Sequence, residues 1–134
     1  MITGVYASLI ALIFIVLSVR VILYRRTNLI GLGDDGDKSL MKRMRAQANC
    51  AEYAPFGLLL MLMVQSQGTT AWVIHLIGAL LLFGRIAHGY GFSASPQKMN
   101  LRVGGMVMTL TSYLVSIITL LSFALNDFIF ALIL

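Results

Sequence analysis

Apolar and polar residues alternate along this chain in blocks. Four long apolar runs are joined by short polar connections. The first run, Ile2 to Tyr24, is uncharged apart from Arg20 near its end. A loop of glycines and aspartates follows, Thr27 to Lys38, which predicts a break in helix. Ser39 reads as the N-cap of a second helix that carries a polar stripe and then an apolar tail to about Ser66. Gln65 to Thr70 reads as a tight uncharged turn. The third run, Ala71 to about Gly89, leaves through Gly89-Tyr90-Gly91, and Ser95-Pro96 has the pattern of a new helix start. The fourth, Val103 to Leu134, exceeds one span and is expected to break at Asn126-Asp127. An apolar stretch of about 20 residues can cross a bilayer as a helix. The pattern therefore predicts an all-α integral membrane protein. One four-helix domain covers 1–134, with spans at roughly 2–24, 45–65, 70–89 and 103–125.

Composition agrees. Hydrophobic residues make up 59% of the 134 positions and charged ones only 11%, which excludes an ordinary soluble domain. A single cysteine rules out an internal disulfide. No cleavable signal peptide is expected, because the first run lacks a basic leader and is too long. The net charge of +5 is better explained by topology than by nucleic acid. All ten Lys and Arg lie around the first and third connections, while the second connection and both ends carry none. The positive-inside rule then puts those two connections in the cytoplasm and both termini outside. It also gathers Arg45, Arg85, His88 and Arg102 at one membrane face.

The chemistry concentrates in Arg43-Met44-Arg45-Ala46-Gln47-Ala48-Asn49-Cys50-Ala51-Glu52-Tyr53-Ala54-Pro55, which leads straight into an apolar segment. With Arg45 at zero on a helical wheel, Asn49 falls near about 40°, Glu52 near about −20° and Tyr53 near about 80°. These residues line one stripe, whereas Gln47 and Cys50 point elsewhere. A soluble helix can carry such a stripe as its wet face. At membrane depth an ionisable residue is costly and faces a cavity, a bundle interior or a partner. The stripe is thus a candidate polar site at the cytoplasmic side.

Arg-Ala-Gln-x-Asn-Cys-x-Glu-Tyr, here Arg45 to Tyr53, followed by Pro55, resembles the signature of the MAPEG family (membrane-associated proteins in eicosanoid and glutathione metabolism). It is similar in particular to the second helix of the leukotriene C4 synthase branch. Weaker similarity continues at Arg85 and through Ser95 to Arg102. The resemblance implies a homotrimer of four-helix subunits, with bent glutathione between subunits at the cytoplasmic side. It implies glutathione contacts from Arg45, Gln47, Asn49, Glu52 and Tyr53, with Gln47 on a different edge of the pocket. Residue chemistry fits this. A guanidinium pairs bidentately with carboxylate, so Arg45 and the neighbouring Arg43 suit the two glutathione carboxylates, although Arg43 can equally be an interfacial arginine. Glu52 suits the γ-glutamyl ammonium.

Activation needs a thiolate. Lowering a thiol pKa from about 8.5 to about 6.5 asks for about 2.7 kcal/mol of differential stabilisation. One arginine near sulfur in a poorly solvated site can supply that. Arg102 matches the family's thiolate-stabilising arginine and is the catalytic candidate, though a longer connection precedes it here. Arg85 matches an arginine expected to bind glutathione; for both, a membrane-interface arginine is the alternative. His88 and Phe92 stand where the relative has tyrosines, with Tyr90 close by. His88 can hydrogen-bond glutathione or pack as an interfacial histidine. Tyr90 lies opposite Arg85 on an ideal helix unless the flanking glycines end that helix first. The departure gives no support for leukotriene synthesis.

The acceptor implied is a lipophilic electrophile or a lipid hydroperoxide that arrives laterally from membrane lipid. The sequence leaves two other classes open: a small multidrug-type transporter, and a glutathione-binding protein without turnover. Arginine and amides around Glu52 and the one-sided charge argue against the transporter. No metal is expected, because Cys50 has no second thiol beside it and Asp34, Asp35 and Asp37 lack the downstream glutamate of a calcium loop. His75 reads as a helix contact at the far face, and Gly104-Gly105 with Thr109 and Ser112 as close helix packing.

Overall fold

The computed structural model describes residues 1–133. They form four helices in up–down order: α1 (Ile2–Asn28), α2 (Lys38–Ser66), α3 (Ala71–Ser93) and α4 (Met99–Ile133). No strand occurs among the described residues. Helices α1, α3 and α4 are each long and apolar enough to cross a membrane. In α2 the early lysines and arginines and Glu52 dilute the apolar tail. The end holding the first and third connections carries the cations and is called the basic end; the other is the distal end.

Four boundaries differ from expectation. Asp37, not Ser39, caps α2. Its backbone is extended (φ −76°, ψ 107°), and its Oδ1 accepts from the Ser39 and Leu40 N–H groups at 2.7 and 3.0 Å. The Tyr24 hydroxyl donates to its Oδ2 at 2.9 Å. These bonds, the Leu40 N–H foremost, hold the Asp37 carboxyl below the usual carboxylate range. Next, α3 runs through Gly89 and Gly91 to Ser93, and α4 begins at Met99 instead of beside Pro96. Finally, α4 continues through Asn126-Asp127. Neither is glycine or proline, and their helix propensities cost under ~1 kcal/mol each.

Helix α1 packs on α2 and α3, α4 packs on α2 and α3, and α2 touches α3. Among the described residues α1 and α4 do not meet. The cross-section is thus a rhombus whose short diagonal joins α2 and α3. Helices α3 and α4 approach closely at Gly84 and Gly105. A Cβ on Gly84 would lie 2.8 Å from the Gly105 carbonyl oxygen, and one on Gly105 would strike the His88 backbone nitrogen. Only Gly105 of the expected glycine pair makes this contact, since Gly104 faces open space.

Two apolar clusters hold the bundle. One joins Ile10, Leu17, Ala46, Cys50, Ala54 and Leu81; the other, nearer the distal end, joins Met61, Val64, Ile74 and Ile77. At the distal end Gln65 Oε1 accepts from the Thr3 N–H and hydroxyl at 2.8 and 2.6 Å, and the Tyr6 hydroxyl meets His75 Nδ1 at 3.1 Å.

Candidate functional site

The close approach of α3 and α4 decides what happens to Arg85. With glycine at 84 and 105, Thr109 comes against α3, and its hydroxyl accepts from Arg85 Nε at 3.1 Å and also from Nη2. Arg85 Nη1 donates to Asn49 Oδ1 at 2.8 Å, and the guanidinium lies 5.4 Å from the centre of the Tyr53 ring. Arg85 is 1% exposed. Its charge is dispersed over a hydroxyl, an amide oxygen and a ring face, with a longer contact to Met106 Sδ. Such full use of donors makes a buried guanidinium tolerable without a carboxylate.

This bond also orients Asn49. A guanidinium has no acceptor, so the atom facing it is the amide oxygen, and the Asn49 NH₂ is left for the other side. On that side lies a cavity of about 320 Å³ lined by Arg45 and Asn49 of α2, His88 and Phe92 of α3, and Arg102, Val103, Met106, Val107 and Leu110 of α4. Its polar groups lie toward the basic end. Val107 and Leu110 carry its wall toward mid-membrane, and both are exposed on α4, so the cavity opens sideways between α2 and α4.

Arg102 stands at the mouth, its guanidinium 4.2 Å from the centre of the Phe92 ring, a cation–π contact. The third connection fixes it there. Lys98 N–H donates to the Gly91 carbonyl at 3.1 Å and Gln97 Nε2 to the Phe92 carbonyl at 3.1 Å, tying the turn back onto α3. Arg102 N–H then donates to the Lys98 carbonyl at 3.1 Å. A Cβ on Gly91 would sit 2.6 Å from Arg102 N, so only glycine lets this turn pack so closely. The longer connection is thereby compatible with Arg102 at the pocket.

Arg45, Asn49, His88 and Arg102 are brought together. Arg85 is behind the pocket and reaches it through Asn49. Tyr53 is held beside Arg85, and its carbonyl accepts from the Tyr113 hydroxyl. Glu52 lies on the outward face of α2, exposed, with Phe56 and Leu59 below it. Gln47 is half-buried and lines no part of this cavity. Arg43 lies over the Tyr24 ring at 4.6 Å. Tyr90 is apart from the cavity: because α3 does not end at the glycines, it stays on the opposite side, exposed, with Lys98 Nζ 3.2 Å from its hydroxyl. The sequence reading missed Thr109 as an acceptor for Arg85 and Phe92 as the seat of Arg102. The available signals were an arginine in a run with no acid, and a threonine one turn after a contact glycine.

The MAPEG family model matches residues 3–122. The chain belongs to the MAPEG family. Inner membrane protein YecN of Escherichia coli strain K12 is 36% identical over 92 residues, covering 69% of this chain and 70% of that protein. The same protein from Escherichia coli O6:H1, strain CFT073, matches equally. Membership makes this an integral membrane protein of the glutathione and eicosanoid metabolism kind. Of the MAPEG-like stripe read from sequence, Arg45 and Asn49 form the α2 wall of the cavity, and no group of three or more metal-ligating side chains occurs among the described residues.

Proposed function

We propose that the protein is a glutathione-dependent membrane enzyme, which ionises glutathione and adds its sulfur to a lipophilic electrophile or uses it to reduce a lipid hydroperoxide. The observation that carries this reading is the convergence of Arg45, Asn49, His88 and Arg102 on one cavity whose outer wall is apolar and opens toward lipid. About 320 Å³ is at the small end of ligand pockets. The cavity offers two guanidiniums for carboxylate or thiolate and an amide donor, which suits part of a tripeptide. The ammonium partner, Glu52, is outside it. A second copy laid against the outward face of α2 would bring Glu52 to a shared site, in keeping with the homotrimer that the family resemblance implies. In the membrane the basic end is cytoplasmic, where glutathione is supplied, and both termini lie outside.

Arg45 holds a carboxylate, the Asn49 NH₂ and Tyr53 fix the peptide, and Arg85 is a positioning residue acting through Asn49. Arg102 stabilises the thiolate after the thiol proton passes to solvent. The sulfur lone pair forms a bond to the electrophilic carbon. The bond from that carbon to its leaving atom breaks, and the pair it releases takes up a proton. With a hydroperoxide, sulfur attacks the terminal oxygen, the O–O bond breaks, and the lipid alkoxide is protonated. A second glutathione thiol then displaces water from the sulfenic acid to give the disulfide.

The test separates binding from ionisation. Arg45→Ala and Glu52→Gln lose at least about tenfold in glutathione affinity, the scale of one hydrogen bond to a charged group. Arg102→Ala binds within a few-fold of the parent but loses the ultraviolet thiolate band. Undiminished binding in the first two variants, or a normal band in the third, contradicts these roles.

A further inference from the structure

A second cavity, of about 310 Å³, lies between α1 and α3. It opens on the α3 side of α1, away from the outward face of α2, and is separate from the glutathione pocket proposed above. Leu12, Ile13, Val16 and Leu17 form one wall and Ile86 and Gly89 the other, with the buried Arg85 behind them, and both walls end in polar groups at the basic end, Arg20 and Tyr90. Lys98 sits on Tyr90, with Nζ 5.0 Å from the ring centre. The groove is therefore an apolar slot with cations at one mouth. From Leu12 to Arg20 it is about 12 Å long, at 1.5 Å per helical residue.

Arg20 is the unusual member. It lies five residues inside Arg25, about 7.5 Å deeper along the helix. Among the residues that line the groove no acid faces Arg20, and the other cation, Arg85, is already bonded to Asn49 and Thr109. An arginine at the edge of the hydrocarbon with no acid beside it calls for an anion from the headgroup layer. Basic pockets between membrane helices bind anionic headgroups. A neutral lipophilic acceptor would leave that charge unanswered.

We propose that the α1–α3 groove is a site for an anionic phospholipid of the leaflet at the basic end. One acyl chain lies along Leu12, Val16 and Ile86, and the phosphate is held by Arg20 with the Tyr90 hydroxyl and Lys98 at the rim. Gly89 leaves depth for the chain: a Cβ there would lie 3.6 Å from Leu17 and fill part of the slot.

The probe is dioleoyl phosphatidylglycerol against dioleoyl phosphatidylcholine, added to the delipidated full chain in detergent and counted as adducts per chain by native mass spectrometry. The parent retains phosphatidylglycerol about fivefold better, the factor expected of one interfacial cation. Arg20→Gln removes that preference, Arg20→Lys keeps most of it, and Lys38→Gln, an equal charge loss outside the groove, leaves it intact. Val16→Trp, at an exposed α1 position, lowers retention of both lipids. Equal retention of the two lipids by the parent, or a full preference in Arg20→Gln, overturns the site. So does complete competition by inorganic phosphate with no dependence on Val16. Glutathione binding is not needed for any arm, so this test and that of the proposed function fail independently.

Discussion

The two halves of the bundle solve the same packing problem with different materials. Toward the distal end the interior is Met61, Val64, Ile74 and Ile77, and the polar pairs Thr3–Gln65 and Tyr6–His75 are pushed to the rim. Toward the basic end a guanidinium occupies the interior, wired to Asn49 and Thr109 beneath a cavity. The distal half buries apolar side chains and small hydroxyls bonded to backbone carbonyls, Ser112 to Ile77 and Ser116 to Ser112, and no charge. The basic half accepts a buried charge that must be fully bonded, and in return fixes an amide donor and two arginines at a pocket. Both halves contribute an apolar cluster to stability, but only the second couples its interior to a pocket.

That division can be broken most severely at Asn49. Asn49→Leu removes the oxygen that receives Arg85 Nη1 and leaves a buried charge short of an acceptor. We expect a loss of about 3 kcal/mol in detergent unfolding together with loss of glutathione binding. Unchanged unfolding would mean that the guanidinium finds water or another acceptor. Met61→Ala, in the distal core, should cost about 2 kcal/mol of stability while glutathione affinity in the folded fraction stays within about twofold. A large change in affinity there would dissolve the distinction between the halves. Gln65→Leu removes the acceptor of both Thr3 donors at the rim; about 0.6 kcal/mol is expected, the average for hydrogen bonds between membrane helices.

The smallest effect is in pH. The Asp37 carboxyl is held below its ordinary value of 3.8, so its capping contribution is present above that value and fades as pH falls through the lower folded one. The protection factor of the Leu40 amide, its exchange rate relative to an unprotected amide at the same pH, should therefore be flat from about pH 7 to about pH 5 and fall only under stronger acid. Asp37→Asn should remove the acid dependence. Loss of protection near neutrality would assign the cap to another group.

Much of this was legible in the chain. The four helices follow from block hydropathy, and the four-residue spacing of Arg45 and Asn49 put both on the cavity wall. Other features depended on what lies across the helix. Arg85 reads as a ligand contact until Gly84 and Gly105 bring Thr109 near enough to bond it. Tyr90 depended on whether α3 survives its glycines, and helix packing against α4 carries it through. Glu52 sits on the stripe yet outside the cavity, because α2 presents that stripe partly to α4 and partly outward. The α2 cap was a choice between two good capping residues, settled by the extended backbone at Asp37 and its bond from Tyr24.

The most direct test of the central claim is calorimetric titration of glutathione into the detergent-purified protein, repeated in buffers of different ionisation enthalpy. The account predicts binding with net proton release that disappears in Arg102→Ala. Binding without proton release would leave a pocket that holds glutathione but does not activate it, and no binding would contradict the assignment of the cavity to glutathione.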